Sequence, residues 1–260
     1  MRKIAKLMKD WQFTGPDGVT AAVALPHTWN AVDGQDGGND YWRGICTYCT
    51  SFAAPAYDPA QQQVWLQFEG VNASATVLLN GQQLCTHDGG YSTFRAEITE
   101  LLQAENQLTV RVDNSVNDRV YPQKADFTFY GGIYRDVSLL VVNKNHIALG
   151  HFGDTGVKIT PALKEGSADI QVETLVEGEG TVAVELLDAA GSVVAKGEGE
   201  KTSLHLDAPH LWNGVKDPYL YTCVVRLMQD GKPVDEVTTK VGLRSFSVDA
   251  KKGFFLNGKP

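Results

Sequence analysis

Cysteine is scarce in this chain: four residues in 260, at positions 46, 49, 85 and 223. They are too few and too scattered for a disulfide scaffold. Cys46-Thr47-Tyr48-Cys49 matches C-x-x-C, but no second Cys or His pair stands at zinc-binding spacing. The run also lies within Gly44–Phe52, which reads as a strand, and residues three apart on a strand point to opposite faces. Metal or redox chemistry is therefore not expected there. Long hydrophobic runs are missing as well; none approaches the roughly 20 residues that a membrane helix needs. Clustered basic charge is the third absence. Against 31 Asp+Glu there are 23 Lys+Arg, a net charge of −8, and phosphate recognition requires Lys and Arg in clusters. Neither nucleic acid nor membrane is an expected partner. Arg2, Lys3, Lys6 and Lys9 open the chain with no apolar segment behind them, so a secretory leader is not expected and a cytoplasmic location is.

Helical periodicity is also lacking, and strand patterns take its place. Val64–Phe68, Ala75–Leu79, Gln107–Val112 and Val137–Val142 are short apolar or β-branched runs bounded by Gly, Asn or Asp. Asn80-Gly81 between Leu79 and Gln82 is a strong hairpin signal, and one helical turn is expected around Ile98–Leu102. From Asn143 the strands become more regular: Asp169–Val176, Thr181–Leu187, Ser192–Lys196, Ser203–Leu206, Tyr219–Met228 and Val234–Leu243. About seven strands in roughly 100 residues suggest an immunoglobulin-like sandwich without its disulfide. The fold expected is all-β, with one sandwich over 1–144 and an immunoglobulin-like β-sandwich over 145–250. The two are expected to fold separately. Gly253–Pro260 opens a further hairpin around Asn257-Gly258, and its second arm is absent from the sequence. The segment 251–260 is accordingly expected to be an unpaired, mobile lead-in to a truncated remainder.

The motifs sharpen this reading. Tyr130-Gly131-Gly132-Ile133-Tyr134-Arg135-Asp136-Val137 is the most specific. With it stand Leu25-Pro26-His27-Thr28-Trp29-Asn30, the run Asp33–Gly44, Phe68-Glu69-Gly70-Val71, and Leu79-Asn80-Gly81. His87-Asp88-Gly89-Gly90-Tyr91, Val112-Asp113-Asn114-Ser115, Leu211-Trp212 before Pro218-Tyr219-Leu220-Tyr221, and Val241-Gly242-Leu243-Arg244-Ser245-Phe246 complete the set. In this order and spacing the chain resembles glycoside hydrolase family 2, the β-galactosidase and β-glucuronidase group. The Gly- and Asp-rich stretch near residue 36 looks more like the β-galactosidases. The resemblance implies a jelly-roll β-sandwich (galactose-binding-domain-like), then an immunoglobulin-like sandwich, then a catalytic (β/α)8 barrel that is absent here. The family's two catalytic glutamates lie on that barrel, so no residue of this chain is a candidate for them.

Retaining hydrolysis needs two carboxyl groups about 5–5.5 Å apart. Glu177 and Glu179 flank Gly178 on an expected turn, and Asp33 and Asp36 lie in a Gly-rich loop suited to Asx turns; neither pair is expected to act. Asp126 differs. It is a polar residue among aromatics ahead of Gly131-Gly132, and sugar sites combine carboxylate acceptors with aromatic faces. By resemblance, an aspartate six residues before the second glycine reaches into the sugar site and contacts a sodium ion; that position is Asp126, and the alternative is a loop cap. The resemblance also sets Asn39 near the substrate, against a role in its own turn. It implies a β-galactoside or related sugar as substrate, no cofactor required by this portion, sodium or magnesium in the full-length enzyme, and a homo-oligomer. His27 and Trp29 are expected to pack or cap, Arg135 and Asp136 to form a pair supporting the Gly-Gly turn, and Trp212 to lie in the second core. The other readings are a glucuronidase or mannosidase on the same architecture, a stand-alone carbohydrate-binding module, and a purely structural pair of sandwiches.

Overall fold

Strict alternation of side chains shapes the first half of the chain. In Ile45–Ala53 the buried positions are Cys46, Tyr48, Thr50 and Phe52, and in Glu105–Asp113 they are Asn106, Leu108, Val110 and Val112. The two strands pair antiparallel across nine positions, Ile45 against Asp113 through Ala53 against Glu105, so one face of the ribbon is buried along its length, apolar but for Thr50 and Asn106. In this computed structural model residues 1–31, 42–122 and 128–260 are described. The chain divides into one unit of Lys3–Val141 and another of Val142–Pro260 together with Met1–Arg2.

In the first unit a six-stranded sheet runs Thr20–Val23, Trp11–Thr14, Ile45–Ala53, Glu105–Asp113, Ser74–Leu79 and Gln82–Asp88. A four-stranded sheet runs Lys3–Lys6, Val137–Asn143, Gln62–Phe68 and Phe94–Glu97. Tyr48, Val77, Leu79, Leu108 and Val110 from the first meet Val64, Leu66, Phe68 and Phe94 from the second in one buried core. Asn80 and Gly81 both have positive φ, 52° and 82°, at the turn joining Ser74–Leu79 to Gln82–Asp88, which is the geometry a two-residue hairpin loop demands. The expected helical turn is a single 3-10 turn at Thr99–Leu101. Cys46 is buried and Cys49 is only partly so. They lie on opposite faces, and burial pushes the Cys46 thiol up to about 12, which removes it from thiolate chemistry.

The second unit sets Val157–Lys164, Ser167–Thr174 and Lys201–Asp207 against Val193–Glu198, Thr181–Leu187, Tyr221–Gln229 and Lys232–Val241. Beside these sheets of three and four strands, His146–Ile147 pairs with Val176–Glu177 and Phe246–Asp249 with Gly253–Leu256. Ala168, Ile170 and Val172 pack with Val182, Val184, Leu186, Cys223, Val225 and Leu227. Among the described residues there is no α-helix and no closed barrel, and no helix is long and apolar enough to cross a membrane. The fold is all-β.

Two expectations need correction here. Gly253–Leu256 does not lack a partner: it pairs antiparallel with the preceding Phe246–Asp249. Asn257 then ties the end down, donating from Nδ2 to Trp212 O at 3.0 Å and Asn213 Oδ1 at 2.9 Å. The strand's arm lies upstream, where no turn signal as plain as Asn-Gly marks it. Trp212 is not in the buried core. It is half-buried beneath Arg244, whose guanidinium carbon stands 4.8 Å from the ring centre.

Candidate functional site

Thr28, Trp29, Asn30 and Asn114, from two of the motifs, converge on the stretch Phe129-Tyr130-Gly131-Gly132. Val71–Asn72 pairs with Gly132–Ile133, which brings Asn72 beside it. The Gly131 amide donates to Asn30 Oδ1 at 2.7 Å, and Thr28 Oγ1 donates to Gly131 O at 2.7 Å. Asn114 Nδ2 donates to Asn30 Oδ1 and to Phe129 O, both at 3.2 Å, while its Oδ1 accepts from the Gly44 amide at 2.8 Å. Asn72 Nδ2 donates to Tyr130 O at 2.6 Å. Asn30, Asn72 and Asn114 are all buried, at 0%, 5% and 0% exposure, and buried carboxamides persist only when satisfied. Here they are satisfied largely by main chain, so they act as a scaffold for residues 129–131.

The two glycines are required by close approach. A Cβ on Gly131 would overlap the Trp29 ring, and one on Gly132, at φ 140°, would overlap His27 O. His27 and Trp29 thus pack as expected. The His27 ring also meets Tyr48 OH from Nδ1 at 2.7 Å, and burial lowers its pKa. Arg135 and Asp136 do not pair with each other. Asp136 takes Lys6 at 2.6 Å, and Arg135 Nη1 donates to Tyr91 O at 3.3 Å and Glu69 O at 3.5 Å. Successive residues of an extended segment point apart, which separates them.

Beside this scaffold lies a cavity of about 290 Å3 lined by Thr28, Asn72, Tyr91, Tyr130 and Tyr134. Tyr91 and Tyr134 stand edge to face, 6.3 Å apart at 62°. Tyr134 OH donates to Gly90 O, and burial, then the neighbouring Tyr91, pushes its phenol up to about 12, so it remains a donor. In the sequence these tyrosines stand only as letters of the motifs. The signal for them was the flanking glycine pair: Gly89-Gly90-Tyr91 and Tyr130-Gly131-Gly132 each set an aromatic ring against bare backbone. A larger recess, about 460 Å3, lies in the second unit and includes Lys240 and Arg244. Its cations are already directed elsewhere, Lys240 Nζ to Thr222 Oγ1 at 2.8 Å and Arg244 over Trp212.

Asp126 and Asn39 lie outside the described residues. Among the described residues no group of three or more His, Cys, Asp or Glu side chains is arranged to share a metal ion.

Residues 39–162 match the family model described as glycosyl hydrolase 2 galactose-binding domain-like, and residues 151–244 match that of glycosyl hydrolases family 2. A β-glucuronidase of Bacteroides fragilis is 36% identical over 97% of this chain and 39% of its own length. The β-galactosidase BoGH2A of Bacteroides ovatus is 32% identical over 96% of this chain and 32% of its own. The crystal structure of an FMN-binding β-glucuronidase from Facaelibacterium prausnitzii L2-6 superposes with a TM-score of 0.94 at 36% identity, covering 100% of this chain and 42% of that one. The chain thus spans about two fifths or less of these relatives. Two family models in succession, and relatives matched along nearly its whole length, make the chain a member of glycoside hydrolase family 2.

Proposed function

We propose that this chain supplies the two β-sandwiches of a retaining glycoside hydrolase whose substrate is a β-glucuronide. The observation that carries the substrate is the B. fragilis β-glucuronidase, at 36% identity over nearly the whole chain. The second reading is the β-galactoside that the sequence near residue 36 suggested. The B. ovatus β-galactosidase favours it at 32% identity. In either case the carboxylate pair belongs to the portion of the enzyme beyond this chain, since the relatives are two to three times longer. Several described carboxylates already have cationic partners: Asp235 with Arg2, Asp136 with Lys6, and Asp88 with Arg119. The role of this portion is to hold the strap 129–131, and through it to present Asp126 to the sugar; Asn39 is a second proposed contact.

The test is the full-length enzyme assayed on p-nitrophenyl β-D-glucuronide and β-D-galactoside. A site built to hydrogen-bond a carboxylate rejects the analogue without it, so kcat/KM is expected to favour the glucuronide by roughly a hundred-fold or more. Equal or better turnover of the galactoside would reverse the assignment. Asp126→Asn removes a charge-assisted hydrogen bond, expected to lower kcat/KM about ten- to a hundred-fold. A melting temperature that falls while kinetics hold would make Asp126 a loop cap.

A further inference from the structure

The larger recess of the second unit, about 460 Å3, is lined from the edge strands of both its sheets. Val157–Lys164 is the edge of the three-stranded sheet and Lys232–Val241 the edge of the four-stranded one. Their contributions differ in kind. From the first come Val157, Ile159 and Pro161, alternate residues that share one face. From the second come Thr239, Lys240 and Val241 in succession, followed by Gly242. Consecutive residues of a strand send their side chains to opposite faces, so what this run presents to the recess in common is its main chain. Lys232–Val241 pairs with Tyr221–Gln229 alone, and every second N–H and C=O on its other side lacks a strand partner. Such edges are ordinarily blunted by a proline or a bulge. Val157–Lys164 carries Pro161 in the recess itself, whereas Lys232–Val241 has Pro233 and its shift of register at the far end. Residues 239–242 have neither.

We infer that residues 239–242 receive one extended segment, about four residues or 13 Å long, as a further strand of the four-stranded sheet. The segment comes from the portion of the enzyme beyond this chain. Its side chains alternate between two surroundings. Those turned inward meet Val157, Ile159, Pro161 and Phe246, and are apolar. Those turned outward lie beside Lys240, whose Nζ donates to Thr222 Oγ1 at 2.8 Å and so rests on a neutral group. Opposite charges on neighbouring strands attract, so the outward position is acidic and the segment reads apolar, acidic, apolar. The source follows from length. The chain spans 39% of the B. fragilis relative and 32% of the B. ovatus one, so most of the enzyme's chain lies outside it. A segment of the same polypeptide acts at an effective concentration of about a millimolar, which carries a short strand that a separate peptide at cellular levels would not. The inference rests on this chain being one portion of a longer enzyme, and not on which glycoside that enzyme cleaves.

The experiment has two arms. In the first, the isotope-labelled 260-residue chain is titrated with the probe acetyl-Ser-Val-Glu-Val-Glu-Val-Ser-amide and followed by amide NMR. Saturation is expected with a Kd of about 1 mM, moving the signals of Thr239, Lys240, Val241 and Gly242. Two further peptides carry N-methyl groups, one on its valines and the other on its glutamates. Alternate amides of a strand face the same side, so one version is expected to lose about tenfold or more in affinity and the other to keep it. Lys240→Glu, a change at an exposed side chain, is expected to weaken the unmethylated peptide at least about fivefold. The proposal is overturned by no saturation up to about 20 mM in a dispersed spectrum, by equal effects of the two methylations, or by unchanged affinity in Lys240→Glu. In the second arm, amide exchange over residues 239–242 is compared between the 260-residue chain and the full-length enzyme. Exchange is expected to be at least about tenfold slower in the full-length enzyme, which should not bind the probe. Equal exchange, or undiminished binding of the probe to the full-length enzyme, overturns the proposal whatever that enzyme hydrolyses.

Discussion

Asn114 shows what a buried carboxamide does in this fold. Its side chain touches Gly44, Asn30 and Phe129, residues from three separate stretches of sequence. Asn114→Ala leaves the half-buried Gly44 amide and the buried Phe129 carbonyl without their partner, which is expected to cost about 2–4 kcal/mol in urea denaturation. Asn114→Asp is expected to cost a similar amount, because an acceptor then faces Phe129 O and Asn30 Oδ1. A second residue-scale prediction concerns His205 on the exposed face of the second unit. Its Nδ1 lies 2.6 Å from Asp169 Oδ1 and its Nε2 3.3 Å from Asp207 Oδ1. The hydrogen bond to Asp169, then that to Asp207, raises its pKa above the usual 6.5. A raised folded value means that the charged imidazole favours the fold below its ordinary pKa, and that this contribution fades as pH climbs through the raised one. The imidazole resonances are expected to titrate with a midpoint above 6.5, and Asp169→Asn to bring that midpoint down. A midpoint insensitive to Asp169 would remove the pairing from the account.

At the scale of elements, what was legible in the sequence was what neighbours decide. Alternation in Ile45–Ala53 foretold its two faces, and Asn80-Gly81 foretold its hairpin, since both depend on residues within a few positions. The upstream partner of Gly253–Leu256 was missed because the connecting residues, Ala250-Lys251-Lys252, carry no Asn-Gly signature. Asp249 does that work instead, its Oδ1 accepting from the Lys251 and Lys252 amides at 2.8 Å each. The site was legible as motif letters and not as geometry. That Asn30, Asn72 and Asn114 meet under one turn follows from strand order, which no local pattern encodes. The C-terminal hairpin offers a direct check. Asn257 sits at φ 50°, accepts from the Ser245 amide at 2.9 Å and donates to Trp212 O and Asn213 Oδ1. Asn257→Gly keeps the backbone conformation and deletes these bonds. Amide exchange over residues 253–256 is expected to quicken by roughly ten- to a hundred-fold, and no change would mean that strand pairing alone secures the ribbon.

The whole molecule has a less local feature: its first two residues belong to its second unit. Arg2 donates to Asp235 from Nε at 2.8 Å and Nη2 at 2.6 Å, and to Ile147 O at 3.2 Å, while Asp235 Oδ2 accepts from the Ile147 amide at 2.9 Å. Asp235 is fully buried. Arg2→Ala strands that carboxylate and is expected to destabilise the second unit by about 3 kcal/mol, roughly 10 °C in its thermal transition. Asp235→Asn in the same chain is expected to recover part of the loss; no recovery would mean that packing, and not charge, is what Arg2 supplies. This clasp joins positions 233 residues apart, and proteins are made from the N-terminus at about 5–20 residues per second. Arg2 therefore waits roughly 12–47 s after its own synthesis for its partner, while the intervening unit can already close around its own core. A bulky group attached beside Arg2 would accordingly load the second sandwich before the one that follows Arg2 in sequence.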